Sequence, residues 1–104
     1  MRQLAAVIAV ALLGTACSVG RPADEATGEE IYAELCASCH GADLEGGAVG
    51  PALGPGSSSA DESDEFLEFT IMNGRGRMPS FSSSLEDEQL DRLVGYIREV
   101  QDDE

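Results

Sequence analysis

The segment Cys36-Ala37-Ser38-Cys39-His40 constrains this chain more than any other stretch. It places two thiols three positions apart and an imidazole directly after the second thiol. This is the spacing of c-type haem attachment. On one turn of helix the two sulfur atoms reach the two vinyl groups of one porphyrin, and the imidazole then lies over the iron. The motif therefore predicts one covalent haem c, attached through Cys36 and Cys39, with His40 as an iron ligand.

Other uses of this motif fit the chain less well. A zinc site usually takes its ligands from two separate Cys or His pairs, and no Cys or His follows position 40. A thioredoxin-like redox pair is expected just after a strand of a βαβ unit. A structural disulfide would leave the adjacent histidine, which is the only one in the chain, without a role. Haem attachment accounts for all three side chains.

The size of the chain favours a cofactor inside the core. With 104 residues it holds one small domain, and a domain of this size buries a modest fraction of its surface. The chain has no Trp, three Phe and two Tyr from which to build an apolar core. A haem is large, flat and mostly apolar, so fixing it covalently at the centre supplies packing area. We expect the haem to be part of the core.

The chain is strongly acidic. It has 20 acidic residues and six basic ones, all arginine, which gives a formal net charge of −14. This balance excludes nucleic acid as a partner, because the phosphate backbone would be repelled. It predicts attraction to a basic docking face on at least one partner protein, screened within about 8 Å at physiological salt. A generally acidic surface suited to a salty medium is the alternative.

The N-terminal residues have the pattern of an export signal. An arginine precedes an apolar run at 4–13, which is too short to cross a bilayer comfortably. Small residues then lead to Cys17, which fits a bacterial lipoprotein box imperfectly because Gly14 stands where leucine is usual. We predict a signal peptide at 1–16, a lipid on Cys17 and a flexible tether at 17–26.

The number of cysteines favours the predicted lipidation of Cys17. With two cysteines assigned to haem, Cys17 is left over, and an exported protein seldom keeps an unpaired thiol without a use. Lipidation would hold the protein at the extracytoplasmic face of the cell membrane. The alternative is ordinary cleavage that leaves a free thiol, which would make the protein periplasmic or secreted.

A first helix and a long loop surround the haem motif. Thr27 and Glu30 have the spacing of a capping box, and the helix that they begin is predicted to run through Cys39. Gly28 near its start would permit close approach of another helix, or is simply tolerated in a first turn. The Gly- and Pro-rich stretch 41–56 has no apolar period and predicts a long loop.

Two further helices are predicted. One lies near 61–73, with its N-cap among the serines at 57–59. The closing helix is predicted to start at Ser84 as N-cap. Gly95 within it would mark a close crossing with the first helix.

A methionine on an irregular segment is the second chemical signal. Met78 is followed by Pro79 within the segment 74–81, which has no helical period. A thioether on a short loop is a soft neutral donor that reaches a haem iron from the face opposite the histidine and raises its reduction potential. We predict Met78 as the second iron ligand. Filling a gap in the core is the alternative, and it is our interpretation of Met72, which lies in a predicted helix.

Four motifs occur in the order typical of one family. They are Gly28-x-x-Ile31-Tyr32 ahead of the haem motif, Gly50-Pro51-x-Leu53, Asn73-Gly74 ahead of Met78-Pro79, and a closing helix with Leu, Tyr and Ile. With these motifs the chain resembles the class I c-type cytochromes, small bacterial monohaem type. The resemblance implies an all-α cytochrome c fold, with roughly three to four short helices and long loops around one covalent haem, in a domain at 27–104.

The resemblance also implies roles for particular residues. His40 would be the proximal ligand and Met78 the distal one. The carbonyl of Pro51 would accept the other N–H of the imidazole and fix the ring orientation. Arg75 and Arg77 would face haem propionates or a partner, or would be solvated loop residues. Lysines that ring the haem edge in some members are absent, which argues against docking to an acidic partner by that route.

The function implied is that of a monomeric one-electron carrier in an exported, respiratory-type electron-transfer chain. One alternative is a haem-based sensor or binder of a small ligand, in which Met78 leaves the iron. A second is a fixed electron-entry subunit of a larger oxidase or dehydrogenase. We expect no enzymatic activity, because no second histidine is present to act as a distal acid or base.

Overall fold

The structure is a computed structural model, and it describes residues 20–103. The regular elements in this range are helices, joined by loops: α1 (Gly28–Leu35), α2 (Ala37–His40), a 3₁₀ helix (Ser58–Asp61), α3 (Asp64–Asn73) and α4 (Asp87–Asp102). The predicted all-α fold is confirmed. The proposed signal peptide at 1–16 and Cys17 lie outside the described residues. Within 20–103, none of the helices has the length and apolar character required to cross a membrane.

Helices α1 and α4 cross closely at a glycine of α1. The Cβ atom of an alanine at position 28 would clash with the backbone carbonyl of Arg92 and lie 2.8 Å from Cβ of Tyr96. The prediction that Gly95 marks this crossing is wrong, because Gly95 is exposed and a Cβ there would meet nothing within 4 Å. The helical periodicity of the sequence allowed either glycine to mark the crossing. Their faces differ: Gly28 faces α4, and Gly95 faces solvent.

The core forms where the apolar faces of α1, α3 and α4 meet. Its fully buried members include Ile31 and Tyr32 from α1 and Leu93 from α4. The loop 41–57 adds Leu44, which is 1% exposed and has a positive φ of 62°. The other buried apolar residues are Ala26, Cys36, Leu67, Ile71, Leu85, Leu90, Val94 and Ile97.

The N-terminal segment is part of the domain. Pro22 and Ala26 are buried. The side-chain amide of Gln89 donates to the carbonyl of Pro22 at 3.3 Å, and Arg92 Nε donates to the carbonyl of Ala26 at 3.0 Å. The flexible tether predicted at 17–26 is therefore corrected, because its second half is fixed to α4 by hydrogen bonds.

The start of α1 follows the prediction. Thr27 is the N-cap, its hydroxyl accepts from the Glu30 amide at 3.0 Å, and the Glu30 carboxylate accepts from the Thr27 amide at 2.9 Å. The predicted continuation through Cys39 is interrupted at Cys36, whose φ of −116° ends α1 before α2 resumes the helical path.

The starts of α3 and α4 differ from the predictions. Ser63 caps α3 by accepting from the Phe66 amide at 3.1 Å, so this helix begins later than predicted and the serines at 57–59 do not cap it. Glu86 replaces Ser84 as the N-cap of α4, and its amide donates to the side chain of Gln89 at 2.7 Å. In both cases a competing polar residue nearer the helix supplies the cap.

Candidate haem-binding site

One cavity gathers the predicted haem residues. It has a volume of about 720 Å³, and Cys36, Cys39, His40 and Met78 all line it. A cavity of roughly 300–1,000 Å³ is typical for a cofactor or ligand. Apolar side chains from α3, including Leu67 and Ile71, form much of the remaining wall.

His40 is held in one orientation. It ends α2, it is 9% exposed, and its Nδ1 lies 2.8 Å from the carbonyl oxygen of Pro51. A carbonyl oxygen only accepts hydrogen bonds, so Nδ1 carries the proton and Nε2 keeps a free lone pair. Gly41 then turns the chain away from the helix with a φ of 93°. The imidazole is thus prepared to bind a metal through Nε2.

Of the two cysteines of the motif, Cys36 immediately precedes α2 and Cys39 lies within it. Cys36 is buried and Cys39 is half-buried, and both are free thiols. Burial raises the pKa of the Cys36 thiol to about 12, and the neighbouring Cys39 adds to the effect. Apolar surroundings that disfavour a thiolate suit a neutral thioether.

The loop that carries Met78 is a tight turn tied to α3. Arg75 and Met78 exchange backbone hydrogen bonds of 3.0 and 2.9 Å. Gly74 has a φ of 80°, and a Cβ at this position would lie 2.7 Å from the carbonyl oxygen of Met78. The Ser80 hydroxyl donates to the carbonyl of Met72 at 2.6 Å. Only a glycine suits position 74, and it places Met78 at the cavity.

Met72 lies elsewhere. It is half-buried and packs against the hydrophobic core, and the cavity is not lined by it. Of the two methionines weighed as iron ligands, Met78 shares the cavity with His40.

Two arginines line the mouth of the cavity. Arg75 and Arg77 are exposed, and among residues 20–103 neither forms an ion pair. The guanidinium carbon of Arg75 lies 5.5 Å from the centroid of the Phe66 ring, which is within cation–π range.

The residues of this cavity fit a covalent haem. Two thiols are available for thioether bonds, an imidazole has a free nitrogen, and a thioether sulfur is presented from a different loop. The mainly apolar wall suits a porphyrin.

Known proteins share this pattern and fold. Residues 23–97 match the family described as cytochrome C oxidase, cbb3-type, subunit III. Cytochrome c6 of Thermosynechococcus vestitus is 30% identical over 95 residues, covering 86% of this chain and 82% of the relative. The chain belongs to the class I c-type cytochromes. As a member, this cytochrome carries covalently bound haem c and is of the electron-carrying type.

Two larger relatives match the same domain. The menaquinol:cytochrome c reductase cytochrome c subunit of Bacillus subtilis is 36% identical, covering 72% of this cytochrome and 28% of the subunit. The crystal structure of cytochrome cL from Hyphomicrobium denitrificans has a TM-score of 0.64 and 36% identity, covering 71% of this cytochrome and 45% of that chain. This cytochrome therefore spans less than half the length of either protein.

Tyr32 is hydrogen-bonded to the residue that follows the haem motif. Its hydroxyl donates to the carbonyl of Gly41 at 2.6 Å, and its ring lies 5.7 Å from the ring of Tyr96, centroid to centroid. Burial raises the pKa of Tyr32, so the hydroxyl keeps its proton and remains a donor. The sequence placed Tyr32 in a family motif but did not indicate this hydrogen bond.

Sequence reasoning missed the residues that fasten one wall of the cavity. Arg98 on α4 pairs with Asp64 at 2.8 Å and donates to the backbone carbonyl of Glu62. It also donates to the side chain of Gln101 at 2.7 Å, and the Gln101 amide donates to the carbonyl of Leu53 at 2.9 Å. Leu53 and Glu62 both line the cavity. These contacts join segments far apart in the chain, and no local pattern indicates them.

Proposed function

We propose that this cytochrome is a one-electron carrier whose haem is attached through Cys36 and Cys39 and ligated by His40 and Met78. The observation that carries the proposal is that one cavity is lined both by the His40 imidazole, which has a free Nε2, and by the Met78 thioether from another loop. When bound, the haem would take up and release one electron, because its iron can be ferric or ferrous.

The chain's own residues suit a carrier. The hydrogen bond from His40 to Pro51 holds the imidazole in one orientation and makes it a stronger ligand. Met78 is half-buried on a hydrogen-bonded loop, so its sulfur would hold the iron together with His40 and leave no site for small ligands. A thioether ligand also favours ferrous iron and raises the reduction potential.

Visible spectra of the purified holoprotein test this proposal. We expect low-spin ferric and ferrous forms, a sulfur-to-iron charge-transfer band, and no change when carbon monoxide is added to the ferrous form. A high-spin form or ready carbon monoxide binding would contradict it. That result would favour a ligand sensor or binder in which Met78 is off the iron.

A fixed electron-entry subunit is the second candidate. It is favoured by the matches to larger proteins, since this cytochrome corresponds to 28% of the Bacillus subtilis reductase subunit. Purification from the native membrane under mild detergent distinguishes the two. A free carrier elutes as a monomer, whereas a subunit elutes with a larger oxidase or dehydrogenase.

We expect no catalysis by this cytochrome alone. Its single histidine is the proposed iron ligand, so no imidazole is left to act as a distal acid or base. Hydrogen peroxide turnover by the purified holoprotein, measured with a dye substrate, would contradict this expectation.

Export and membrane anchoring complete the proposal. Residues 1–16 would be removed as a signal peptide, and Cys17 would carry the lipid at the extracytoplasmic face. Because Gln89 donates to the carbonyl of Pro22, the tether proposed at 17–26 would end before Pro22. Cys17→Ser should release the cytochrome from the membrane fraction, and a variant that stays bound would exclude the lipid.

The partners are redox proteins, at least one of them with a basic docking face. The net charge of −14 would attract such a protein at long range. We therefore expect the association rate to fall as salt is added.

A further inference from the structure

The loop that carries Met78 is closed at its base on the end of α3. The Phe81 amide donates to the carbonyl of Ile71 at 3.0 Å, and the Ser80 hydroxyl donates to the carbonyl of Met72 at 2.6 Å. Both carbonyls belong to the last turn of α3, where the carbonyl groups have no partner within the helix and accept from groups outside it. The chain between these two hydrogen bonds is therefore a closed loop that contains Met78.

We call residues 73–79 the methionine loop. Its own hydrogen bonds are local, because Arg75 and Met78 bond to each other and the Gly74 amide donates back into α3. Its exposed residues are Asn73, Arg75, Gly76, Arg77 and Pro79. A segment with few buried contacts and exposed backbone hydrogen bonds opens locally at a lower free energy than the whole domain unfolds. Local opening of the methionine loop would carry Met78 away from the cavity.

The Ser80 hydroxyl is held in one orientation, although Ser80 is exposed. A serine hydroxyl has one hydrogen to donate and two lone pairs with which to accept. The hydrogen is donated to the carbonyl of Met72, and one lone pair accepts from the Ser82 amide at 3.2 Å. The Ser82 hydroxyl lies 3.1 Å from Ser80 Oγ, and it is the donor because the Ser80 hydrogen is already used. All three hydrogen-bonding sites of the Ser80 hydroxyl are thus occupied.

The two closing hydrogen bonds depend on the sequence to different degrees. The Phe81 amide belongs to the backbone and is present for any residue except proline at position 81. The bond to Met72 requires a side-chain hydroxyl at position 80. The residue at position 80 therefore decides how firmly the methionine loop is closed.

We propose that Ser80 is a positioning residue whose hydroxyl keeps the methionine loop closed and so keeps the Met78 sulfur on the iron. This inference rests on the proposed ligation of the haem, and it names a group that makes the ligation persistent. With the hydroxyl in place, the holoprotein excludes small ligands and remains a carrier. Without it, the loop opens more often and a small ligand reaches the iron.

Imidazole binding to the ferric holoprotein tests the role of Ser80. Imidazole binds only to iron that the Met78 sulfur has left, and loss of the sulfur-to-iron band follows the exchange. Ser80→Ala should raise the imidazole binding constant about fivefold, which is the factor that corresponds to one net hydrogen bond. Ser80→Thr keeps a hydroxyl and should bind imidazole as the wild type does. Equal effects of Ser80→Thr and Ser80→Ala would overturn the proposal.

Two control variants separate loop opening from a general loss of stability. Ser83→Ala removes an exposed hydroxyl nearby that takes no part in the hydrogen bonds of Ser80. Thr27→Ala removes the side-chain cap of α1, and it should lower the melting temperature about as much as Ser80→Ala does. Neither control should change the imidazole binding constant.

Amide hydrogen exchange gives a measurement that does not involve imidazole. The Phe81 amide is protected by its bond to Ile71, and local opening of the methionine loop exposes it. We expect this amide to exchange about fivefold faster in Ser80→Ala and at the wild-type rate in Thr27→Ala.

The outcomes distinguish this inference from the proposed function. If the wild type shows the sulfur-to-iron band but Ser80→Ala changes neither imidazole binding nor Phe81 exchange, Ser80 has no positioning role and the carrier function stands. Equal changes in Ser80→Ala and Thr27→Ala would also overturn the role of Ser80, because general stability would then explain both. A wild type without the sulfur-to-iron band would overturn the ligation by Met78, and this inference with it.

Discussion

Single hydrogen bonds decide what the haem site presents. The carbonyl of Pro51 fixes the proton of His40 on Nδ1, and the Tyr32 hydroxyl satisfies the carbonyl of Gly41, where the chain leaves the motif. The motif itself was readable because Cys36 to His40 are contiguous, so their chemistry needs no tertiary information. The Tyr32 bond depends on a turn at Gly41 with a φ of 93°, which no pattern specifies.

Removing the thioether of Met78 should open the iron. We expect Met78→Ala to produce high-spin ferric haem, to bind carbon monoxide in the ferrous form and to lower the reduction potential, because a neutral sulfur ligand favours ferrous iron. Spectroelectrochemical titration measures the change. Met72→Ala is the control, since Met72 packs outside the cavity and should keep a low-spin spectrum. Identical spectra for Met78→Ala and wild type would exclude Met78 as a ligand.

Tyr32→Phe should destabilise the fold by about 1–3 kcal/mol at neutral pH, because it leaves the carbonyl of Gly41 without its donor. The pKa of Tyr32 is raised by burial, so the native state holds this proton more tightly than the unfolded state. The Tyr32 hydroxyl therefore makes its full contribution to the free energy of unfolding below a pH of about 10, and this contribution is lost as the pH rises further. The difference between wild type and variant should therefore narrow by about 1 kcal/mol near pH of about 11. Denaturant unfolding at several pH values measures it, and a constant difference contradicts the linkage.

At the level of secondary structure, packed helices hold the haem cavity in place. Capping of α1 was predicted because Thr27 and Glu30 are neighbours in the chain, whereas the start of α4 was not, because Glu86 and Ser84 compete for one cap. The bonds of Arg98 and Gln101 to the loop before α3 depend on how α4 packs, which periodicity does not specify. Local chemistry was therefore predictable, and contacts between distant segments were not.

The two helical glycines offer a matched test of the α1 and α4 crossing. Gly28→Ala should destabilise the domain by about 1–3 kcal/mol, because its Cβ would clash with the carbonyl of Arg92. Gly95→Ala should stabilise it by about 0.5–1 kcal/mol, because position 95 is helical and open. Thermal unfolding of the holoprotein measures both. Equal effects would mean that the helices do not meet at Gly28.

The whole domain is built around the cavity that is lined by the haem motif and Met78. A cavity of about 720 Å³ in a chain of 104 residues interrupts a core that is already small. Two acid-free segments, 46–60 and 69–85, border this cavity, and the acids lie in the other parts of the chain. Composition gave the net charge but not its arrangement, because only the folded chain brings residues 46–60 and 69–85 to one cavity.

Loss of the covalent haem should unfold the domain. We expect the double variant Cys36→Ser and Cys39→Ser to lack haem and cooperative thermal unfolding, because the cavity would lose its apolar filling. Circular dichroism and the haem stain of a denaturing gel measure the two losses. Cys17→Ser is the control and should retain both, since Cys17 is not assigned to haem. A cooperative apo form would show that the protein core is sufficient alone.

The fastening of the N-terminal segment has a mechanical consequence. Any pull on the chain ahead of Pro22 first loads the hydrogen bonds that Gln89 and Arg92 donate to the segment. The force therefore enters α4, the longest helix among residues 20–103, before it reaches α1. Tension applied to this segment is diverted from the helix that leads into Cys36, so the haem motif is protected from a pull on the chain ahead of Pro22.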